Sequence, residues 1–261
     1  MFSFFSCNLK MVIAMPNIHS TISFGLVNIP VLCNPIVKNN DVSFHQLHKK
    51  CGNRILYQKY CPQCHIVLKE SEIIKGYEYE KGEYLEFNKK ELTDLKPENE
   101  GVIEIISFIN LKEIEPSYLE KSYFLSTEKK SKAYNLFVSA LEKSKLVALC
   151  KTVLHNKFYY GIVRYYESAL ILTTLYFEEE IKWKERTKPK KVDTKELDLA
   201  LKLINNMKGH FEPQKYKDEY QNQLKKAIDT KLDGKKIKPK KRSNKKQVTD
   251  LMKALEKSLK K

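Results

Sequence analysis

Two short pairs of residues have the chemistry of metal ligands. His48 and Cys51 are separated by two residues, and nine residues further on Cys61 and Cys64 repeat that spacing. Imidazole nitrogen and thiolate sulfur are the donors that fill tetrahedral structural zinc sites, and ligands at this spacing lie on one tight turn. We therefore predict a structural zinc ion bound by these four residues, with no open coordination position for catalysis.

Other interpretations of these residues stay open. His45 and His65 are alternative sources of the imidazole ligand. A Cys-x-x-Cys pair also occurs as a reduced surface dithiol or as a redox pair, although redox pairs of the thioredoxin kind lie in a βαβ context that this sequence does not show. The six cysteines are too scattered in a chain of 261 residues to predict a disulfide framework, and they indicate a reducing compartment.

The sequence lacks the common signatures of nucleotide-dependent enzymes. Its eight glycines form neither a GxGxxG dinucleotide loop nor a GxxxxGK[ST] phosphate loop. Glutamates at positions 178–180 are consecutive and do not converge on one point, so a solvated acidic turn is the favoured interpretation. His155 and His210 have no neighbouring nucleophile in the sequence. We therefore predict a binding protein and no enzymatic activity.

Positive charge is in excess and is concentrated towards the C-terminus. Lys and Arg number 48 against 32 Asp and Glu, a formal net charge of +16, and residues 231–261 carry 13 of the cations with 3 acids. Such an excess suits a polyanion, which is nucleic acid, an anionic membrane surface or an acidic protein. The sequence contains no apolar run of about eighteen residues, so no transmembrane helix is predicted and a cytoplasmic, nucleoid-associated location is expected.

Basic residues are interleaved with aromatic residues at 49–60 and again at 157–165. On strands, these cations can neutralise phosphates while the rings pack, which gives binding to the nucleic-acid backbone without reading of bases. For any single lysine an ordinary solvated sheet face is the alternative. The candidate DNA ligands, including three in the basic tail, are Lys49, Lys50, Arg54, Lys59, Arg164, Lys240, Lys241 and Arg242.

Period-two alternation between turn residues predicts a protein built mainly of short strands. A hairpin is expected around Gly82, where glycine supplies the positive φ. So many short strands favour a barrel or a strongly twisted sheet. The predicted strands lie within 18–32, 77–87, 102–109, 118–125, 146–154, 158–166 and 169–177.

Helical periodicity appears once among the strands, over residues 133–141, and again after a polar linker. Asp193 has the spacing of a capping residue ahead of an apolar stripe, and a second helix is expected from near Pro213. Beyond Gly234 the chain is too rich in lysine to pack, so a disordered tail with a last short helix at 248–259 is predicted. The apolar stripe consists of Leu197, Leu201, Ile204 and Met207.

Several blocks of the sequence closely resemble the bacterial Ku proteins of DNA end joining. Positions 21–30 read TISFGLVNIP, positions 42–52 read VSFHQLHKKCG, and positions 74–79 read IKGYEY. The likeness continues through Glu115-Pro116-x-Tyr118, EKSY at 120–123 and FEPQKYKDEY at 211–220. The SFGLVNIP block is close to diagnostic of that family.

The resemblance implies an α+β fold with a Ku-type β-barrel core over residues 15–186 and a bridge that serves as dimerisation arm, and the two ligand pairs predict a small zinc-knuckle insertion within it. It also implies a helical ligase-docking region over 193–234 and a lysine-rich tail over 235–261, with residues 1–14 as a dispensable extension. The implied function is that of a homodimeric ring, without catalysis, that threads onto double-stranded DNA ends. The implied partner is a multidomain ATP-dependent DNA ligase of non-homologous end joining, and Arg164 matches an arginine to which the family assigns a DNA-facing role.

The sequence departs from the family pattern at a few positions. His19 and Ser20 stand near positions where family members carry Trp and Gly, and Leu32-Cys33 stands where a lysine usually follows the NIP block. A different class of function stays open as the alternative, namely a zinc-stabilised RNA-binding or ribosome-associated protein with a basic tail. A preference for linear duplex DNA over closed circles and structured RNA distinguishes the ring from this alternative.

Overall fold

Seven strands close into a barrel in the computed structural model. The structure describes residues 17–38, 41–96, 100–128, 131–183 and 193–236. These residues fall into two compact units: the first contains residues 17–38 and those from 55 to 183, and the second contains 41–54 and 193–236.

The strands and helices follow the apolar patterns of the sequence. The strands are β1 Ile18–Phe24, β2 Val27–Pro35, β3 Tyr60–Cys61, β4 Ile66–Val67, β5 Lys75–Glu80, β6 Glu83–Phe87, β7 Val102–Ile109, β8 Leu119–Ser126, β9 Val147–Leu154, β10 Lys157–Tyr166 and β11 Ala169–Leu175. The helices are α1 Lys89–Asp94, α2 Lys132–Ser144, α3 Thr194–Asn206 and α4 Glu219–Leu232. In the part of the chain that the structure describes, no helix has the length and apolar composition needed to span a membrane.

The barrel has the strand order β1-β2-β8-β11-β10-β9-β7, and it closes where β7 pairs with β1. Neighbouring strands are antiparallel except at this closing pair, which is parallel. Helix α2 packs on the barrel: the Phe137 ring stacks on Phe24 with centroids 5.1 Å apart, and the Tyr134 hydroxyl donates to the Leu125 carbonyl at 2.7 Å. The fully buried aliphatic side chains of the interior are Ile22, Ile29, Ile103, Leu125, Leu154, Val163, Leu170 and Leu172.

The strands and the first long helix are confirmed with small changes in their limits. Residues 18–32 form two strands, since Gly25 at φ +57° turns the chain between β1 and β2. The predicted hairpin at Gly82 is confirmed, with φ +86° at the glycine. The helix over 133–141 is confirmed as α2, in which Phe137 and Leu141 are buried.

The C-terminal helices differ from the prediction at one end. Asp193 caps α3 as expected, and its side chain accepts hydrogen bonds from the backbone of Lys195 and Glu196. The second helix begins at Glu219 rather than near Pro213, because Asp218 caps it and Pro213–Lys215 forms a separate 3-10 turn. The predicted basic tail lies outside the described residues except for positions 235 and 236, and the predicted helix at 248–259 and the predicted N-terminal extension lie outside them altogether.

Gly101 occupies the junction where the barrel closes. Its carbonyl accepts from the Thr21 amide at 2.8 Å, and its own amide donates to the Val153 carbonyl at 3.1 Å. Its φ is +84°, and a β-carbon at this position would lie 2.7 Å from the His19 carbonyl oxygen. Glycine is therefore required here both for its backbone conformation and for its lack of a side chain.

We expect Gly101→Ala to lower the free energy of unfolding by about 3 kcal/mol, because it adds a backbone clash at the closing pair to the cost of a positive φ. Gly82→Ala is the matched control: φ is +86° there, but nothing lies within 4 Å of the added carbon. The control should lose only about 1 kcal/mol. Urea unfolding of both variants measures the difference, and equal losses would show that the close approach to His19 does not matter.

Candidate nucleic-acid interface and metal-ligand pairs

Cys61 and Cys64 lie on a tight turn between β3 and β4. The His65 amide donates to the Cys61 carbonyl at 2.9 Å, and His65 itself has a left-handed backbone at φ +58°. Hydrogen bonds to the Cys61 sulfur from the backbone of Cys64 and Gln63 hold the pKa of the Cys61 thiol below its usual value. The turn therefore favours the thiolate at Cys61, and the thiolate is the form of cysteine that binds metal. The hydrogen bond with Cys61 and the charge of Cys61 raise the pKa of the Cys64 thiol.

His48 and Cys51 also meet on one turn. The Nδ1 atom of His48 lies 3.0 Å from the Cys51 sulfur. The turn is closed by the Gly52 amide, which donates to the His48 carbonyl at 2.8 Å, and by the His48 amide, which donates to the Asn53 carbonyl at 2.8 Å. Nitrogen and sulfur ligands of one tetrahedral zinc ion stand about 3.5 Å apart, so small adjustments suffice for this pair to share an ion.

The two pairs belong to different compact units, with His48 and Cys51 in the second and Cys61 and Cys64 in the first. Among the residues that the structure describes, no three His, Cys, Asp or Glu side chains are gathered into a metal site. The alternative ligand His65 has its Nδ1 atom 2.9 Å from the Tyr60 hydroxyl. The four-ligand zinc site stays a prediction, and the donor chemistry and local turn of each pair support it.

Two further cysteines have a different character. Cys33 and Cys150 are buried in the barrel, and burial raises the pKa of each thiol to about 12. They therefore remain protonated and pack as small apolar side chains. This contrast separates core cysteines from the exposed or partly exposed thiols of the two ligand pairs.

Three of the predicted DNA ligands share one short turn in the second unit. Lys49 and Lys50 are exposed at the turn itself, and Arg54 is exposed where it forms an isolated bridge with Leu47. The turn thus presents three cations to solvent within six residues. Such a cluster is suited to contact successive phosphates of a nucleic-acid backbone.

The other candidate DNA ligands are placed differently. The Lys59 ammonium lies 2.5 Å from a carboxylate oxygen of Glu70, and this contact holds the pKa of Glu70 below its usual value. Arg164 is half-buried on β10, with its guanidinium 5.3 Å from the centre of the Tyr166 ring. Lys59 is therefore partly neutralised, whereas Arg164 is oriented by an aromatic ring. The remaining candidates, Lys240, Lys241 and Arg242, lie outside the described residues.

The acidic residues at 178–180 form a 3-10 turn with specific partners that local sequence patterns did not reveal. Glu178 accepts a hydrogen bond from the Tyr118 hydroxyl, and this bond raises the pKa of Tyr118. Glu180 accepts from the Phe177 amide at 2.9 Å and lies 3.8 Å from the Lys157 ammonium. These contacts of Glu178 and Glu180 stabilise the turn that follows β11.

Comparison with known proteins finds one family throughout. A family model described as the Ku70/Ku80 beta-barrel domain matches residues 23–199. A protein of Solibacter usitatus is 37% identical over 242 residues, which cover 92% of this chain and 91% of that protein. A protein of Lachnoclostridium phytofermentans is 38% identical over 93% of this chain and 95% of its own length, and one of Bacillus subtilis is 34% identical over 92% and 79%. All three carry the name non-homologous end joining protein Ku.

We expect the purified protein to contain about one zinc ion per chain, as a closed four-ligand site requires. Elemental analysis after purification without chelator measures this. Cys61→Ser should lose the metal together with the folding energy linked to it, whereas Cys33→Ala, which removes a buried thiol, should retain the metal. A zinc content below about a tenth of an ion per chain in the unaltered protein would contradict the site.

Proposed function

The chain belongs to the Ku family, and we therefore propose that it binds the ends of double-stranded DNA in non-homologous end joining. The observation that carries this proposal is the match of the barrel to the family model, extended by curated relatives that share most of their length with this chain. The proposed role is one of binding, and the joining chemistry is assigned to a separate ligase.

Binding is proposed to act through the phosphate backbone. Duplex DNA carries one charge per ~1.7 Å of its axis, so a protein that neutralises phosphates gains affinity whatever the base sequence. The exposed cluster of Lys49, Lys50 and Arg54 supports such contacts. Two copies of the chain around one duplex would double this cluster, and the predicted basic tail would add mobile positive charge.

Assembly into a dimeric ring is supported by the hairpin of β5 and β6. Tyr77 and Leu85 are register partners on one face of this hairpin, and their exposed fractions are 64% and 51%. An isolated two-stranded hairpin is at most marginally stable in water, and exposed apolar side chains on it mark an interaction surface. We propose that this face pairs with a second copy of the chain.

The opposite face of the hairpin is unsuited to DNA. Glu78 and Glu86 lie on that face, at alternate positions to Tyr77 and Leu85, together with Tyr84, the register partner of Glu78. Carboxylates repel the phosphate backbone, so the hairpin is assigned to protein contact rather than DNA contact. A ring closed by two such arms would admit duplex DNA only at a free end, and end preference would then follow from topology.

Ligase recruitment is proposed for α3. Its predicted apolar stripe is solvent-exposed, and Ile204 is 63% exposed. The half-buried apolar residues of the same helix are Leu199, Ala200 and Leu203, which adjoin the stripe along one side. An apolar stripe left exposed on a helix fits an apolar groove of a partner protein, and we propose the multidomain ATP-dependent ligase as that partner.

We expect binding to be blind to sequence and sensitive to salt. If the dimer neutralises six to ten phosphates, the logarithm of the binding constant should fall against the logarithm of salt concentration with a slope of roughly −5 to −9. Gel-shift titrations should show equal affinity for two unrelated linear duplexes and far weaker binding to closed circles. Equal binding to closed circles, or stronger binding to structured RNA, would contradict the threaded ring.

We expect Tyr77→Asp combined with Leu85→Asp to turn a two-chain assembly into single chains. Each substitution removes about 1.5–3 kcal/mol of apolar burial and introduces a charge, so dimerisation should weaken at least ~100-fold. Light scattering coupled to size exclusion gives the mass. Glu86→Gln on the opposite face is the control and should leave the dimer intact; a monomeric unaltered protein would contradict the proposed assembly.

We expect Leu197→Asp combined with Leu201→Asp to reduce ligase stimulation roughly 30-fold, as expected for loss of a ~2 kcal/mol hot spot. Binding to linear DNA should persist, because both side chains are already exposed. Leu136→Asp is the matched control, an exposed leucine on α2. Ligation of linear DNA by the partner ligase measures the effect, and undiminished stimulation would move the docking surface elsewhere.

A further inference from the structure

The side chain of Gln221 joins two segments that are far apart in the sequence. Its Oε1 atom accepts from the Val42 amide at 3.2 Å, and its Nε2 atom donates to a carboxylate oxygen of Asp41 at 3.1 Å, across 180 positions of the chain. Both ends of the amide are therefore used. Reversing the amide would set donor against donor and acceptor against acceptor, so the orientation is fixed by its partners.

Gln221 is held in the first turn of α4. The Asp218 side chain caps this helix by accepting from the Gln221 amide at 2.9 Å. Gln221 is half-buried together with Leu224 and Ile228, three and seven positions further along, which places all three on one face of the helix. The intervening Gln223 is exposed. The amide that reaches Asp41 and Val42 therefore extends from a rigid element on its packed face.

The segment on the other side of this contact has little regular structure. Residues 41–54 contain a turn and an isolated bridge rather than a helix or strand, and most of their side chains are exposed. The same residues carry the basic cluster of Lys49, Lys50 and Arg54. Hydrogen bonds within the turn set the arrangement of these cations relative to one another, but they do not fix where the turn lies in the unit. A contact from outside the segment can fix that placement, and a segment without one loses more entropy when it binds.

We propose that helix α4 anchors residues 41–54, with Gln221 as the positioning residue that keeps the basic cluster in place. The C-terminal helical region would then have two roles, since α3 presents an apolar stripe and α4 supports the cations of the same compact unit. A ligase docked on α3 would then bind the same compact unit whose basic cluster contacts the DNA backbone. The anchor itself does not depend on the proposed function, whereas its effect on DNA rests on it.

The test uses the full chain with four substitutions. Gln221→Ala removes both hydrogen bonds, and Gln221→Glu removes the donor and sets two carboxylates together. Asp41→Asn combined with Gln221→Glu reverses donor and acceptor and should restore the pair. Gln223→Ala is the matched control, the same residue type on the exposed side of the same helix.

Hydrogen exchange and DNA binding are measured for each variant. We expect exchange at Val42 and through residues 41–54 to rise roughly five- to tenfold in both single variants at position 221, and to return to the original rate in the double variant. The salt slope on linear duplex should become shallower by about two to three per chain, because the turn that carries three cations loses its fixed placement in the unit. Loss of fold alone would not be repaired by reversing one hydrogen bond.

The outcomes separate the anchor from the proposed function. Unchanged exchange at Val42 in Gln221→Ala overturns the anchor, and an equal rise in Gln223→Ala does so as well. Faster exchange with an unchanged salt slope overturns the role of the anchor in DNA binding. Absence of end binding by the unaltered protein overturns the proposed function, while the exchange data still decide whether α4 holds residues 41–54.

Discussion

The parallel pairing of β1 with β7 is the constraint on which the rest of the first unit depends. Strand directions cannot alternate all the way round a ring with an odd number of members, so a closed seven-stranded barrel must contain at least one parallel pair. Here that pair joins Thr21 to Val102. A parallel pair cannot be made by a tight hairpin and needs a long crossover connection. Residues 36–101 form that connection between β2 and β7, and they contain both ligand pairs and the hairpin of β5 and β6.

The same pairing fixes where the crossover is attached. Cys33 near the end of β2 lies opposite Ile18 at the start of β1, and β7, which runs parallel to β1, begins with Val102 beside Thr21 in the middle of β1. The crossover therefore leaves the barrel and returns to it at the same end, on either side of one strand. Gly101 stands at the point of return, which explains why the backbone there is so tightly constrained. The proposed dimerisation arm thus lies within the crossover that the parallel closure of the barrel requires.

Local patterns in the sequence predicted most of the strands and helices, but they did not predict the contacts between residues that are far apart in the chain. Strand β7 has the limits that alternation alone indicates, and Gly82 turns the hairpin as its residue type requires. By contrast, the close approach of Gly101 to His19 exists only once the barrel has closed. No local period signals the bond between Gln221 and Asp41, because its partners are 180 positions apart.

In the candidate sites, too, local features were predicted from the sequence and contacts between distant residues were not. The spacing of Cys61 and Cys64 predicted a tight turn, which the structure contains, but spacing within each pair says little about contacts between distant segments. Periodicity identified the apolar stripe of α3 without telling whether it is buried or exposed. Lys59 resembled its basic neighbours in the sequence, and only its position beside Glu70 distinguishes it from Lys49.

Parallel closure also has a consequence for biosynthesis. As the chain leaves the ribosome, β1 and β2 can pair at once, since a single turn at Gly25 joins them. The other edge of β1 must wait for β7, and every residue of the crossover is translated in between. An unpaired strand edge is a template for pairing with other chains, and long-range closure of this kind is slow. Each nascent molecule therefore passes through an interval in which it is vulnerable to aggregation, and the length of that interval is set by the time needed to translate residues 36–101.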